Sequence, residues 1–335
     1  MRILIVKLSS LGDVIQTMAV VPDLRAIFPH AQIDWVVEEA FAPLVAQVEG
    51  LSRVLPIGQR RWRKAYFSAA HRVERAAFHR LLQQEAYDAV IDFQGLVKSA
   101  WVAAHTRLRP LGFRATYANA SQACAYEWPV HLLLDRMVPM PARIHAVARY
   151  RLLAARALHY DKDPLLARPP QYRWEKPAAF EPVGNAPSVV LAHGTTRADN
   201  EWPEEDWLAL GRQLIDAGMA LALPHAGAQE LARVQRWAQA LGPQAHIWPQ
   251  QGLDTLAQAM AASAGVIGVD SGLSHLAVAL GLPHVQIFSQ DRAWRAGPQG
   301  CSYQVAVGGA QAPTRALVWQ AWQQVQLAHN QAPCA

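Results

Sequence analysis

Short apolar runs recur along the chain. Each passes through a small polar loop into a stretch whose apolar residues fall three and four apart. Residues 2–7 (RILIVK), 33–38 (IDWVVE), 53–57 (RVLPI) and 88–92 (DAVID) are short and rich in β-branched residues, which predicts buried strands. Segments 14–28, 40–48, 73–85 and 95–105 predict helices, the first followed by Pro29. Such alternation builds a parallel sheet from βαβ units. It stalls between about 159 and 186, where DKDPLLARPPQYRWEKPAAFEPVGNAP is rich in proline and polar residues and reads as a linker. It then restarts, with strands at 188–193, 219–224, 245–249, 265–270 and 284–288 and helices at 204–217, 228–240, 253–262, 272–280 and 314–329. The expectation is two α/β domains, 1–165 and 186–335, with a linker at 166–185 and a last helix that packs back on the first domain.

Composition narrows this picture. At about 150 residues per domain, 335 residues carry two domains. With 52% hydrophobic and 17% charged residues, the chain can bury two cores, and whole-chain disorder is excluded. There is no apolar run of about 18 residues, so no spanning helix is expected. Lys7 interrupts the first apolar run too early for a signal peptide, which points to a cytoplasmic protein. Cys124, Cys301 and Cys334 are scattered and read as incidental thiols. The net charge of +5 is uneven: residues 1–165 carry +7 and residues 166–335 carry −2. On charge alone, nucleic acid, anionic lipid and a phosphorylated substrate are all open as partners of the first half.

In doubly wound folds the chemistry sits in the loops after the strands. The first such loop, Ser9-Ser10-Leu11-Gly12-Asp13, has one glycine and lacks the GxGxxG of a dinucleotide site. Asp13 fits either a helix cap or a general base. After the 265–270 strand, Asp270-Ser271-Gly272-Leu273-Ser274-His275 opens a helix whose free N–H groups suit a diphosphate. The 193–205 loop offers Thr195, Thr196 and Arg197, and Pro203 suits a first helical turn. Arg60-Arg61-Trp62-Arg63-Lys64 packs four cations into five residues and fits a polyanionic partner, or else a solvated face. No recognisable nucleic-acid motif accompanies it, so no nucleic-acid partner is expected. Gln94, Gly95 and Lys98 follow the 88–92 strand. The Asp161-Lys162-Asp163 triplet lies in the linker stretch, no metal-ligand spacing is found, and neither a metal nor another cofactor is expected.

The strings RILIVKLSSLGDVIQT, RRWRKAYFS, YDAVIDFQGLVKSA, TTRADNEWPEEDW and VDSGLSHLAVAL occur in that order, and together they resemble glycosyltransferase family 9, the heptosyltransferases. The resemblance implies a GT-B fold, two Rossmann-like domains facing across a cleft, with the acceptor on the first and the nucleotide-sugar on the second. It implies an inverting enzyme that moves L-glycero-D-manno-heptose from ADP-heptose to the first Kdo of Kdo-lipid A in the lipopolysaccharide inner core. Such an enzyme would sit peripherally on the anionic cytoplasmic face of the inner membrane.

Carried onto this chain, Asp13 is the general base. Ser9, Ser10, Gly12, Arg60, Arg61, Arg63, Lys64, Gln94 and Lys98 face the acceptor. Thr195, Thr196, Arg197, Asn200, Glu230, Asp270, Ser271, Gly272, Leu273 and His275 face the donor. Asn200 stands where the family usually has lysine, so Arg197, Arg292 or Arg295 is expected to supply the positive charge for the diphosphate. Two alternatives remain at this point. One is another family member, heptosyltransferase II or a transferase of a different ADP-sugar; the other is a non-catalytic lipid-A- or nucleotide-binding protein of the same fold.

Overall fold

The first apolar run becomes the centre of a sheet because no side of it is tolerant of water. Strand β1 (Arg2–Val6) has Ile3, Leu4, Ile5 and Val6 fully buried. Burying side chains of this size stabilises by about 1.5–3 kcal/mol each. The computed structural model describes residues 1–65, 68–174 and 187–331. The chain divides into Met1–Glu175 and Lys176–Ala335.

The first domain runs β1, α1 (Leu11–Met18), α2 (Val20–Ile27), β2 (Gln32–Glu38), α3 (Ala42–Val45), β3 (Arg53–Ile57), α4 (Gln59–Lys64) and α5 (Ala69–Leu82). It continues through β4 (Ala86–Asp92), α6 (Val97–Ala104), β5 (Arg107–Tyr117), β6 (Arg136–Val138), α7 (Ala146–Leu158) and α8 (Asp163–Leu166). Its strands lie in the order β3-β2-β1-β4-β5-β6, all parallel. The expected helix over 14–28 is two helices that meet at Ala19. The stretch read as a linker begins later than expected. Arg151 in α7 pairs with Asp23 at 2.6 Å and donates to the carbonyls of Leu165 and Arg168, which fastens α8 to this domain. Val48 and Trp174 form a β-bridge beyond it.

The second domain contains β7 (Ser188–Ala192), α9 (Glu204–Asp216), β8 (Ala220–Leu223), α10 (Gly227–Leu241), β9 (Ala245–Ile247) and α11 (Leu253–Ala261). It ends with β10 (Gly265–Val269), α12 (Gly272–Ala279), β11 (His284–Phe288), α13 (Ala293–Ala296), β12 (Gln304–Gly308) and α14 (Arg315–Gln331). Read from its far edge, the order β9-β8-β7-β10-β11-β12 repeats that of the first domain. Strand β7 therefore corresponds to β1, and β10 to β4. A core of Val189, Leu191, Ile267, Val285 and Ile287 is closed by Trp207, Trp237 and Trp322. Helix α14 packs on β11 and β12 of this same domain. Cys124 is a free, half-buried thiol, whereas Cys301 is disulfide-bonded, contrary to the reading of it as incidental; Cys334 lies outside the described residues.

Candidate functional site

In the first domain the loop between β1 and α1 holds Asp13 in the first turn of α1. Its Oδ2 accepts the Ser10 hydroxyl at 2.8 Å and the Ser10 backbone N–H at 3.3 Å. Its Oδ1 accepts the Tyr150 hydroxyl, from α7, at 2.9 Å. Both oxygens are thus held, and the carboxylate has one orientation. Lys7, buried just before the loop, donates to the Phe93 carbonyl at 3.2 Å and lies 4.9 Å from the centre of the Tyr150 ring. Burial pulls the Lys7 ammonium below its ordinary pKa, and the Asp13 charge opposes that shift.

The loop itself is pinned from β4. Gln94 Oε1 accepts the N–H groups of Leu8 at 2.9 Å and Ser9 at 3.2 Å, and Lys98 reaches the Ser9 hydroxyl at 3.4 Å. Gln94 is in turn set by Asp92, whose carboxylate accepts the N–H groups of Gln94 and Gly95 and the Ser99 hydroxyl. Burial nevertheless pushes the Asp92 carboxyl up to about 6. Gly95 has φ +70°, and a Cβ there would lie 2.9 Å from the Tyr117 ring, so glycine is required.

The four cations of the RRWRK string sit on α4, anchored by the buried Trp62, whose indole N–H donates to Glu74 at 2.7 Å. Their surroundings differ. Arg61 is held between Glu39 at 2.9 Å and Glu74 at 2.7 Å, so its charge is matched within the domain. The backbone N–H of Arg60, in the first turn of α4, donates to the Glu38 carboxylate at 3.1 Å, and the Arg60 guanidinium lies 5.3 Å from the centre of the Phe41 ring. Arg63 and Lys64 are exposed. Burial and the charges of Arg60 and Arg63 lower the pKa of Lys98, while Glu38 raises it.

In the second domain the loop after β7 carries Gly194, Thr195 and Thr196. Thr195 accepts the Arg197 N–H at 3.3 Å, and Arg197 forks onto Asp199 at 2.5 and 2.9 Å. A Cβ on Gly194 would fall 2.5 Å from Glu230 Oε1, so glycine admits the Glu230 carboxylate, which also accepts the Ala226 N–H at 2.7 Å. Asn200 is buried. Its amide donates to the Asp270 carbonyl at 3.2 Å and the Asp270 carboxylate at 3.3 Å. Gln286 donates to the other Asp270 oxygen at 3.3 Å, and His275 lies 3.5 Å from it. Burial works against the Asp270 charge, but the His275 hydrogen bond and the charges of His275, Arg295 and Arg292 outweigh it and hold the carboxyl below its ordinary pKa.

Ser271 is the N-cap of α12, yet its side chain makes no capping hydrogen bond, and its hydroxyl is a buried oxygen with no partner among the described residues. The first N–H groups of a helix have no intrahelical acceptors. Here they belong to Gly272, Leu273 and Ser274, and the Ser274 hydroxyl itself points back to the Val269 carbonyl at 2.6 Å. The arrangement offers donors and positive charge to an anion.

The structure therefore gathers Ser9, Ser10, Gly12, Asp13, Gln94 and Lys98 around one loop of the first domain. It gathers Asn200, Asp270, Ser271, Gly272, Leu273 and His275 around one helix start of the second. Of the three arginines expected to serve the diphosphate, Arg197 is matched by Asp199, whereas the Arg292 and Arg295 charges act on Asp270. Sequence reasoning missed Tyr150, Lys7 and Asp92. Tyr150 lies 137 residues from Asp13, in a helix between 105 and 159, a stretch to which the sequence reading assigned no element; the apolar spacing within AVARYRLLAARAL was the signal for it.

The family model for glycosyltransferase family 9 (heptosyltransferase) matches residues 75–318. Lipopolysaccharide heptosyltransferase 1 of Escherichia coli K12 is 39% identical over 86% of this chain and 88% of its own length. The protein of the same name from Pseudomonas aeruginosa is 36% identical over 92% and 84%. The structure of E. coli heptosyltransferase WaaC with ADP superposes with a TM-score of 0.81 at 33% identity, covering 97% of this chain and 100% of that one. E. coli ADP-heptose lps heptosyltransferase II, at 21% identity and a TM-score of 0.77, shares the fold. The chain has the GT-B fold and belongs to glycosyltransferase family 9, the heptosyltransferases.

Proposed function

We propose that this glycosyltransferase moves L-glycero-D-manno-heptose from ADP-heptose to the first Kdo of Kdo-lipid A, at the cytoplasmic face of the inner membrane. The observation that carries the reading is the Asp13 carboxylate, fixed by Ser10 and Tyr150 at the carboxyl end of a central strand. An acceptor hydroxyl gives its proton to Asp13 as its oxygen bonds to the anomeric carbon. The bond from that carbon to the diphosphate oxygen breaks on the opposite face, and ADP leaves with the electron pair. Positioned bases of this kind contribute about 10²–10⁴-fold. The N–H groups at the start of α12, with Ser271, Arg292 and Arg295, receive the charge that develops on the leaving diphosphate. Thr195, Thr196, Glu230, Asp270 and His275 line the rest of the donor site. Asn200, unlike a lysine, brings no charge and instead braces Asp270.

Arg60, Arg63, Lys64 and Lys98 meet the carboxylates and phosphates of the acceptor. Arg61 lends its charge to Glu39 and Glu74 and chiefly holds α4 in place. The identity of the relatives, named heptosyltransferase 1 at 36% and 39%, favours this acceptor over that of heptosyltransferase II. The test is ADP release from ADP-heptose, measured with and without Kdo-lipid A. Release that depends on the acceptor is expected, and its absence would contradict the reading.

A further inference from the structure

The first domain carries an exposed aromatic surface that its core does not need. Val97 and Trp101 lie one turn apart on α6, hence on one side of it, while Ala100, Val102 and Ala103 face the core. Beside them runs a 3₁₀ turn, Trp128–Leu132. Glu127 ties that turn to the start of α6: its N–H donates to the Gly95 carbonyl at 3.0 Å, and its carboxylate accepts the Val97 N–H at 2.6 Å. Val130 is fully buried in the same core cluster as Ala100, which leaves Trp128 and Leu132 turned outward. Trp101 is 45% exposed, Trp128 64% and Leu132 73%. Elsewhere tryptophan is mostly drawn inward: Trp35 and Trp62 of the first domain and Trp202, Trp207, Trp237, Trp248 and Trp322 of the second are buried, and Trp294 and Trp319 are half-buried.

We propose that Trp101, Trp128 and Leu132 insert into the anionic lipid surface that bears the acceptor and seat the first domain upon it. The inference rests on the reading that the acceptor is a membrane lipid. Charge decides the occupant. Lys98 lies on α6 between Val97 and Trp101, and the charges of Arg60 and Arg63 act on it. Exposed indole rings on the basic domain, with Lys98 on the same helix as Trp101 and with Arg63 and Lys64 exposed on α4, match a bilayer interface, where the ring sits at headgroup level and cations meet lipid phosphates. Among the described residues no helix is long and apolar enough to cross a membrane, so attachment through these elements is by surface insertion.

The experiment is co-sedimentation of the full chain with phosphatidylcholine vesicles and with phosphatidylcholine–phosphatidylglycerol vesicles. It compares the wild type with the triple variant Trp101→Ser, Trp128→Ser, Leu132→Ser and with Trp128→Asp alone. Wild type should bind the anionic vesicles and not the neutral ones. The triple variant should lose at least about tenfold in vesicle affinity, and Trp128→Asp should lose part of that. Turnover of a water-soluble acceptor stripped of its acyl chains should be the same in all three, which also shows that the variants fold. Equal vesicle binding by wild type and triple variant would overturn the proposal, as would wild-type binding indifferent to vesicle charge. A wild type that binds vesicles through these residues yet turns over no acceptor would instead sink the functional reading and leave this one standing.

Discussion

The two domains share one strand order, yet the helix starts that follow β1 in the first and β10 in the second, which are not equivalent positions in that order, are prepared for opposite charges. After β1, the helix start is answered by the protein itself: Asp13 sits in the first turn of α1 and takes the Ser10 N–H and hydroxyl. After β10, the helix start is left open, since Ser271 does not cap α12. The carboxylates at the ends of β4 and β10 differ in the same way. Asp92 is held by neutral donors, and burial outweighs both these and the charge of Lys7 and pushes it up to about 6. Asp270 has His275, Arg292 and Arg295 near it and stays below its ordinary pKa. A repeated fold thus sets only where a site forms. Which groups satisfy the exposed N–H donors decides whether the site holds a base or receives an anion.

The largest expected effect is on the base. Asp13→Ala should lower kcat by about 10²–10⁴-fold while leaving ADP affinity unchanged, as measured by steady-state kinetics and calorimetry. A variant that lost ADP binding instead would erase the distinction between the two domains. Next in size is Asp92. Burial raises its pKa to about 6, above the ordinary carboxylate value, so its contribution to stability is fully present below about pH 4 and is lost as pH rises through 6. The loss is on the order of 3 kcal/mol. Denaturant titrations of wild type and Asp92→Asn should therefore move in the variant's favour between pH 4 and pH 7. No relative movement would mean that Asp92 is not the carboxyl that burial controls.

Tyr150→Phe removes a hydrogen bond to a charged group, worth about 1.5–3 kcal/mol. It should lower kcat by about tenfold or more with both KM values held, because the buried Tyr150 acts through its hydrogen bond to Asp13. A changed acceptor KM would show that the hydroxyl binds rather than positions. The smallest effects belong to the donor side. Arg292→Ala and Arg295→Ala should each raise donor KM by about fivefold, as one charge-assisted contact to a phosphate allows. Arg197→Ala should not, since Asp199 already holds it. A rise with Arg197→Ala alone would reverse this assignment.

Much of this was legible in the sequence where the relevant residues are close together. The β1 loop with Gly12 and Asp13, and the Asp270–His275 run, follow their strands directly, so position along the chain reveals position on the sheet. Gln94 and Lys98 could be singled out after the 88–92 strand, though not their grip on Ser9 across 85 and 89 residues. Tyr150 was hidden for the same reason: a contact spanning 137 residues leaves no periodicity in the chain. The RRWRK string showed four equivalent cations, and only the fold separates Arg61, claimed by Glu39 and Glu74, from Arg63 and Lys64. The proline-rich stretch looked like a linker throughout because composition does not report the Arg151–Asp23 pair that fastens its first part to the core.

The central claim, that the first domain holds the base for sugar transfer to a lipid-borne acid, is tested most directly by product mass. Purified wild type and Asp13→Ala would each be given ADP-heptose and Kdo-lipid A, and the lipid analysed by mass spectrometry. The account predicts a gain of one heptose with wild type and almost none with the variant over the same time. An unmodified lipid with wild type, or equal gain with Asp13→Ala, would contradict it.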